Sequence, residues 1–146
     1  MHEIFRPRGS LITLMSELAD DRTTVALCRD RTPSVVWINI TSVGDEPRHY
    51  CVSGGMKMLP AGEHFVAVGV IDPPGSIGEV ELQLLGGGRY AARICPEGWL
   101  LVLPPGTGGY RQRATFRYRS GKSVESAILP PAGMSLDSGG TRYAPL

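Results

Sequence analysis

"YRQRATFRYRS", Tyr110–Ser120, places Arg111, Arg113, Arg117 and Arg119 at odd positions and Tyr110, Gln112, Ala114, Phe116 and Tyr118 at even ones. Successive side chains of a strand point to opposite faces, so the stretch reads as a β-strand with an arginine face and a mostly aromatic face. The residues that follow test this reading by register. An odd loop, Ser120-Gly121-Lys122, sets Tyr118 opposite Val124, Ala114 opposite Ile128 and Arg117 opposite Glu125. An even loop would set an aromatic ring against Glu125 on the inner face, because a one-residue slip exchanges the faces. "IGEVELQLL", Ile77–Leu85, offers the complementary face, with Glu79, Glu81 and Gln83 alternating with Val80, Leu82 and Leu84. The arginine row is therefore expected to form a wet outer face, offset by cross-strand Arg–Glu pairs. The same four arginines are the candidate contact for an acidic protein neighbour.

Nucleic acid is an unlikely partner on two grounds. The chain carries 15 Lys and Arg against 14 Asp and Glu, a net charge of +1, whereas nucleic-acid binders show a basic excess. Phe116 and Tyr118 also face away from the arginines and cannot stack bases beside them.

Outward from this strand the chain repeats one design. Turn signals recur at Leu59–Gly62, Asp72–Gly75, Gly86–Gly88, Cys95–Gly98, Leu103–Gly106 and Leu129–Gly133; proline presets the turn dihedral and glycine supplies the left-handed position. Between them lie runs of strand length: 23–30, 34–42, 48–53, 63–71, 77–85, 89–95, 98–104, the arginine strand and 123–129. About nine short strands with regular turns indicate an antiparallel β-sandwich, immunoglobulin-like or jelly-roll-like. Its inner faces are expected to hold Val25, Leu27, Val36, Ile38, Val66, Val68, Val80, Leu82, Leu84, Leu101 and Phe116.

One segment departs from the alternation. In "SLITLMSEL" Leu11, Leu14, Met15 and Leu18 stand at i, i+3, i+4 and i+7. This is a helix stripe with Ser10 as N-cap, although Ile12 and Thr13 also permit a strand. Core packing is the expected role of the stripe. The organisation is thus 1–22 as an amino-terminal arm with a short helix or strand, 23–130 as the sandwich, and 131–146 as an extended arm. Ile4 and Phe5 in the first arm, and Tyr143 and Leu146 in the last, are the candidate anchors to a partner.

Cys28, Cys51 and Cys95 are odd in number and read as small core residues of a protein made in a reducing compartment. The amino terminus shows no apolar signal region, and no apolar run is long enough to span a bilayer. Cytoplasmic synthesis is expected. No zinc pattern occurs around His49, Cys51 and His64. "GKS", Gly121–Ser123, lacks the glycine and the helix of a phosphate loop. No cofactor is implied. Trp37 shares a face with Val35 and Asn39, which makes it the candidate ligand platform of a carbohydrate-binding module. An enzyme would need a site assembled from distant residues, such as His49 or His64 beside an acid.

"LPPGTGGYRQRATFRYRSGKSVES", Leu103–Ser126, resembles the later strands of a fibronectin type III or immunoglobulin-like domain. Leu103, Pro105, Gly106, Thr107, Tyr110, Gly121 and Ser123 occupy comparable places, with Gly108 and Gly109 as additions. The resemblance implies an antiparallel sandwich used for binding or for building assemblies. The expectation is a structural domain docking onto copies of itself or another protein, as in a viral decoration, tail or connector component.

Overall fold

The structure, a computed structural model, describes residues 11–30, 35–52, 56–84, 88–105 and 112–128. Among them stand twelve strands and no helix: β1 (Ile12–Asp20), β2 (Thr23–Arg29), β3 (Val36–Ser42), β4 (Arg48–Val52), β5 (Lys57–Ala61), β6 (His64–Val70), β7 (Ile77–Leu84), β8 (Arg89–Ala91), β9 (Arg93–Cys95), β10 (Gly98–Leu103), β11 (Gln112–Tyr118) and β12 (Ser123–Ile128). They form three four-stranded antiparallel sheets, ordered β1-β2-β3-β4, β5-β6-β10-β9 and β12-β11-β7-β8. The first is a simple meander. The other two are interleaved, because successive hairpins alternate between them. Ala92 is the crossing point from β8 to β9, and its N–H donates to the Val80 carbonyl at 2.9 Å.

The β5–β6–β10–β9 sheet is the middle layer, and parity along its strands shows why. Val66, Val68 and Leu100 join Leu59 and Ala61 in a core shared with Val25, Leu27, Val36, Ile38 and Ile40 of the first sheet. The alternate positions Ala67, Trp99, Leu101 and Leu103 join Met58 in a second core with Val80, Leu82, Leu84 and Ala114 of the third. The middle strands are therefore apolar on both faces, while each outer sheet gives one face to a core. Trp99 lies against Gly69, its register partner, and meets Phe116 with ring centroids 6.0 Å apart.

The first and middle sheets are laced at both edges by arginine. Arg93 of β9 donates to the Ser16 carbonyl of β1 at 2.7 Å. Arg48 of β4 donates to the Pro60 carbonyl of β5 at 3.3 Å. Pro60 itself lies on an edge strand, where its missing N–H costs no ladder bond.

All-β, antiparallel and sandwich-like is thus the observed class, with differences in detail. The segment expected as a short helix or strand is a strand, β1, a sheet member whose Met15 and Ala19 are buried, so the expected boundary at Thr23 falls inside the first sheet. Register breaks between Thr13 and Met15, and between Leu18 and Asp20, explain its helix-like stripe. A bulge adds a residue, so the neighbours Leu14 and Met15 both reach the core, mimicking the i+3, i+4 pair of a helix. Leu18, the last member of the stripe, is 68% exposed. Residues 89–95 form two strands in different sheets, and β5 was hidden within the turn signal at Leu59–Gly62. The β11–β12 hairpin keeps the expected parity but is displaced by two residues: Phe116 faces Val124, Thr115 faces Glu125 and Arg117 faces Ser123. Gly121 (φ 99°) permits the turn, closed by the Tyr118 N–H on the Lys122 carbonyl at 2.8 Å.

Candidate interaction faces

Two sheet faces point away from both cores, and they differ in kind. The outer face of the β12-β11-β7-β8 sheet is a lattice of alternating charge. β11 lies beside β7, with Arg117 opposite Glu79, Thr115 opposite Glu81 and Arg113 opposite Gln83. Arg117 Nη1 donates to Glu79 Oε1 at 3.1 Å. Arg113 reaches Glu125 and Arg89 reaches Glu81, each at 3.9 Å. Arg119 Nε donates to the Gly75 carbonyl at 3.0 Å. The expected Arg–Glu face is present, with β7 as the main source of carboxylates, and Arg117 pairs with Glu79 rather than Glu125. Exposed pairs of this kind contribute about 0–1 kcal/mol each. Phe116 and Tyr118 pack into the second core, on the opposite face. Arg111 lies outside the described residues, as do Ile4, Phe5, Tyr143 and Leu146.

The outer face of the β1-β2-β3-β4 sheet carries no charged side chain among its described positions. Register assigns Thr13, Ser16 and Leu18 of β1 to it, with Thr24, Ala26 and Cys28 of β2. Trp37, Asn39 and Thr41 of β3, and His49 and Cys51 of β4, complete it. A polar chain confirms the assignment. His49 Nδ1 and Asn39 Oδ1 are 2.6 Å apart, Asn39 Nδ2 donates to Cys28 Sγ at 3.5 Å, and Thr13 Oγ1 lies 3.9 Å from the same sulfur.

The face has two ends. At one, Cys28 (1% exposed) and Trp37 (5%) are buried, although neither belongs to the two cores. At the other, Leu18, Thr24 and Thr41 are exposed, and Val43 follows in the β3–β4 turn at 65%. The Val43 N–H donates to the Arg22 carbonyl at 2.9 Å, holding the two turns together.

Trp37 is therefore not the exposed ring that a sugar platform requires. Its Nε1 is buried and has no hydrogen-bond partner. The outward face of the first sheet is partly covered at that end, which alternation alone cannot reveal. The remaining sequence candidates are dispersed. His64 Nδ1 is 2.9 Å from the Leu103 carbonyl, which makes this nitrogen the donor. Burial pushes the thiols of Cys28, Cys51 and Cys95 up from their ordinary values, which disfavours the thiolate that a nucleophile or metal ligand requires. Among the described residues no three His, Cys, Asp or Glu side chains are grouped to hold a metal ion, and no helix is long and apolar enough to cross a membrane.

The exposure of Leu18 was missed by sequence reasoning, which assigned it to the core. Its signal is compositional: the alternate residues of β2 and β3 run Thr, Ala, Cys and Trp, Asn, Thr without a charge. The chain is thus an all-β protein of three layered antiparallel sheets with one charged and one uncharged outer face. No protein-family model, no curated protein and no solved structure matches it.

Proposed function

We propose that the chain is a non-enzymatic structural domain that docks onto protein neighbours within a larger assembly. The docking surface is the uncharged outer face of the first sheet. The observation that carries this reading is the contrast between the two outer faces: ionic pairs cover one, whereas Leu18 and Val43 stand 68% and 65% exposed on or beside the other. Depletion of charge with exposed apolar side chains characterises the centre of protein interfaces. A small all-β domain with tight turns suits a component of a repeating particle, such as a viral decoration, tail or connector protein.

The test is the size of the species in an extract of the native source. The chain should migrate with a larger complex, and Leu18→Arg should release it. Migration as a lone monomer, with or without the substitution, would sink the proposal.

A further inference from the structure

We infer that the partner met at the exposed end of the first sheet is a basic protein surface. This deepens the docking reading and rests on it. The inference stands on how the turns at that end are built and on how their carboxylates are left.

The turns between β1 and β2, β3 and β4, and β5 and β6 meet there, and hydrogen bonds tie them together. The Val43 N–H donates to the Arg22 carbonyl at 2.9 Å, and Arg22 Nη2 donates to the Val43 carbonyl at 3.4 Å. Thr23 Oγ1 and Ser42 Oγ are 2.9 Å apart. The Asp20 carboxylate accepts from the backbone N–H groups of Arg22 and Glu63, which joins the turn of the middle sheet to those of the first. Val43 therefore has both backbone groups fixed. Its turn is closed by the Asp45 N–H on the Ser42 carbonyl at 3.1 Å, with Gly44 in the left-handed region (φ 89°). A β-branched side chain on a pinned backbone loses little freedom when a partner covers it.

Charge selects the partner. In the rest of the described chain Glu79, Glu81, Glu97 and Glu125 each stand against an arginine. Asp21, Asp45, Glu46 and Glu63 are exposed, and none of them makes an ion pair among the described residues. With Asp20, the turns carry five carboxylates against the single guanidinium of Arg22, in a chain whose net charge is +1. Arg22 and the neighbouring Arg48 are both spent on backbone carbonyls, of Val43 and Pro60. These carboxylates are not grouped to hold a metal ion. An acidic neighbour would meet unscreened repulsion. An uncharged one would take water from the carboxylates and return nothing. Lysines or arginines of a basic surface replace that water and leave Leu18 and Val43 to make the apolar contact.

The probe is an amidated peptide of alternating lysine and leucine, titrated into the purified full chain and followed by amide NMR. Shifts should centre on residues 18–24, 41–47 and 62–63, and affinity should fall as salt rises. Asp45→Asn with Glu46→Gln should weaken binding at least about threefold. The sign of charge is the decisive comparison, made at Thr41, which is exposed beside Leu18's row. Thr41→Lys should weaken binding at least about threefold, whereas Thr41→Glu should leave it equal or tighter. No binding up to about 1 mM peptide, equal binding of a glutamate–leucine peptide, shifts centred on the third sheet, or the same loss from both Thr41 variants overturns the proposal. In the native extract, a complex released by Leu18→Arg and by both Thr41 variants alike would overturn the basic partner alone and leave the docking reading standing.

Discussion

Gly69→Ala should destabilise the protein, although glycine within a strand is ordinarily a weakness that alanine repairs. Alanine lowers the entropy of the unfolded chain and is worth about 0.5–1 kcal/mol where the backbone accepts it. At Gly69 the space is missing. A Cβ there would fall 2.6 Å from Trp99 Cε2 and 2.8 Å from Cζ2, well inside van der Waals contact. The indole cannot swing away: Trp99 is 1% exposed and held between the middle and third sheets against Phe116. The backbone cannot give easily either, because Gly69 sits in the β6–β10 ladder opposite Trp99 itself. Overpacking of this kind costs about 1–3 kcal/mol. Setting the middle of the entropic gain against the middle of that cost leaves a net loss of about 1 kcal/mol, or about 2–4 °C in Tm for a domain of this size. Urea unfolding followed by tryptophan fluorescence measures the midpoint, with circular dichroism as a second probe. The decisive variant is the double one. Trp99→Phe removes the indole bond that the new methyl meets, so Gly69→Ala should cost less in that background than in the parent. A parent-like or raised midpoint for Gly69→Ala would refute the reasoning. So would an equal penalty in both backgrounds, because the loss would then owe nothing to the ring.

Three further outcomes follow from local geometry. Asp20 accepts from the Arg22 N–H at 2.8 Å, and this bond is the main reason its carboxyl lies below the ordinary value. A lowered folded value stabilises above the ordinary aspartate range and loses that contribution as pH falls through the folded value, so Asp20→Asn should flatten the acid limb of stability against pH; an unchanged limb would count against it. Gly62→Ala should destabilise doubly, because φ is +66° and the new Cβ would sit 2.6 Å from Asp20 Oδ2 and 2.8 Å from Thr23 Oγ1; a rise in Tm would contradict this. A double-mutant cycle on Arg117 and Glu79, read by urea unfolding, should give a coupling of about 0.2–1 kcal/mol that shrinks in high salt. A salt-independent coupling would mean the pair is less exposed than its geometry implies.

The class of fold was legible because period-two alternation and glycine-proline corners are local properties, visible wherever one face is buried. β7 and β11 show this best: Val80, Leu82 and Leu84 against Glu79, Glu81 and Gln83. The arginine face was legible for the same reason. Two pieces of the fold were not. The bulges of β1 counterfeit helical spacing, and no single-strand pattern separates Leu14-Met15 on a bulge from the same pair on a helix. The sheet change at Ala92 leaves no mark either, since Arg89–Cys95 alternates without interruption.

The third layer did leave a signal. "FVAVGVI" (65–71) and "WLLVL" (99–103) are unbroken apolar runs rather than alternating ones, and strands covered on both faces read in this way. A two-layer sandwich has no strand buried on both sides, so two such runs in one chain already imply a middle sheet. The same logic bears on the outer face of the first sheet. In β2 and β3 the outward residues Ala26, Cys28, Trp37 and Asn39 are neither apolar enough to match the middle layer nor charged like the third sheet. At one end Cys28 and Trp37 are buried within the chain, and it is the Leu18–Thr41 end that stands exposed. The proposed docking would use that end, where a fully apolar surface would aggregate and a lattice of arginine and glutamate would keep its water. The position of Leu18 within it is then significant, because a single projecting leucine among threonines provides contact without a broad apolar patch.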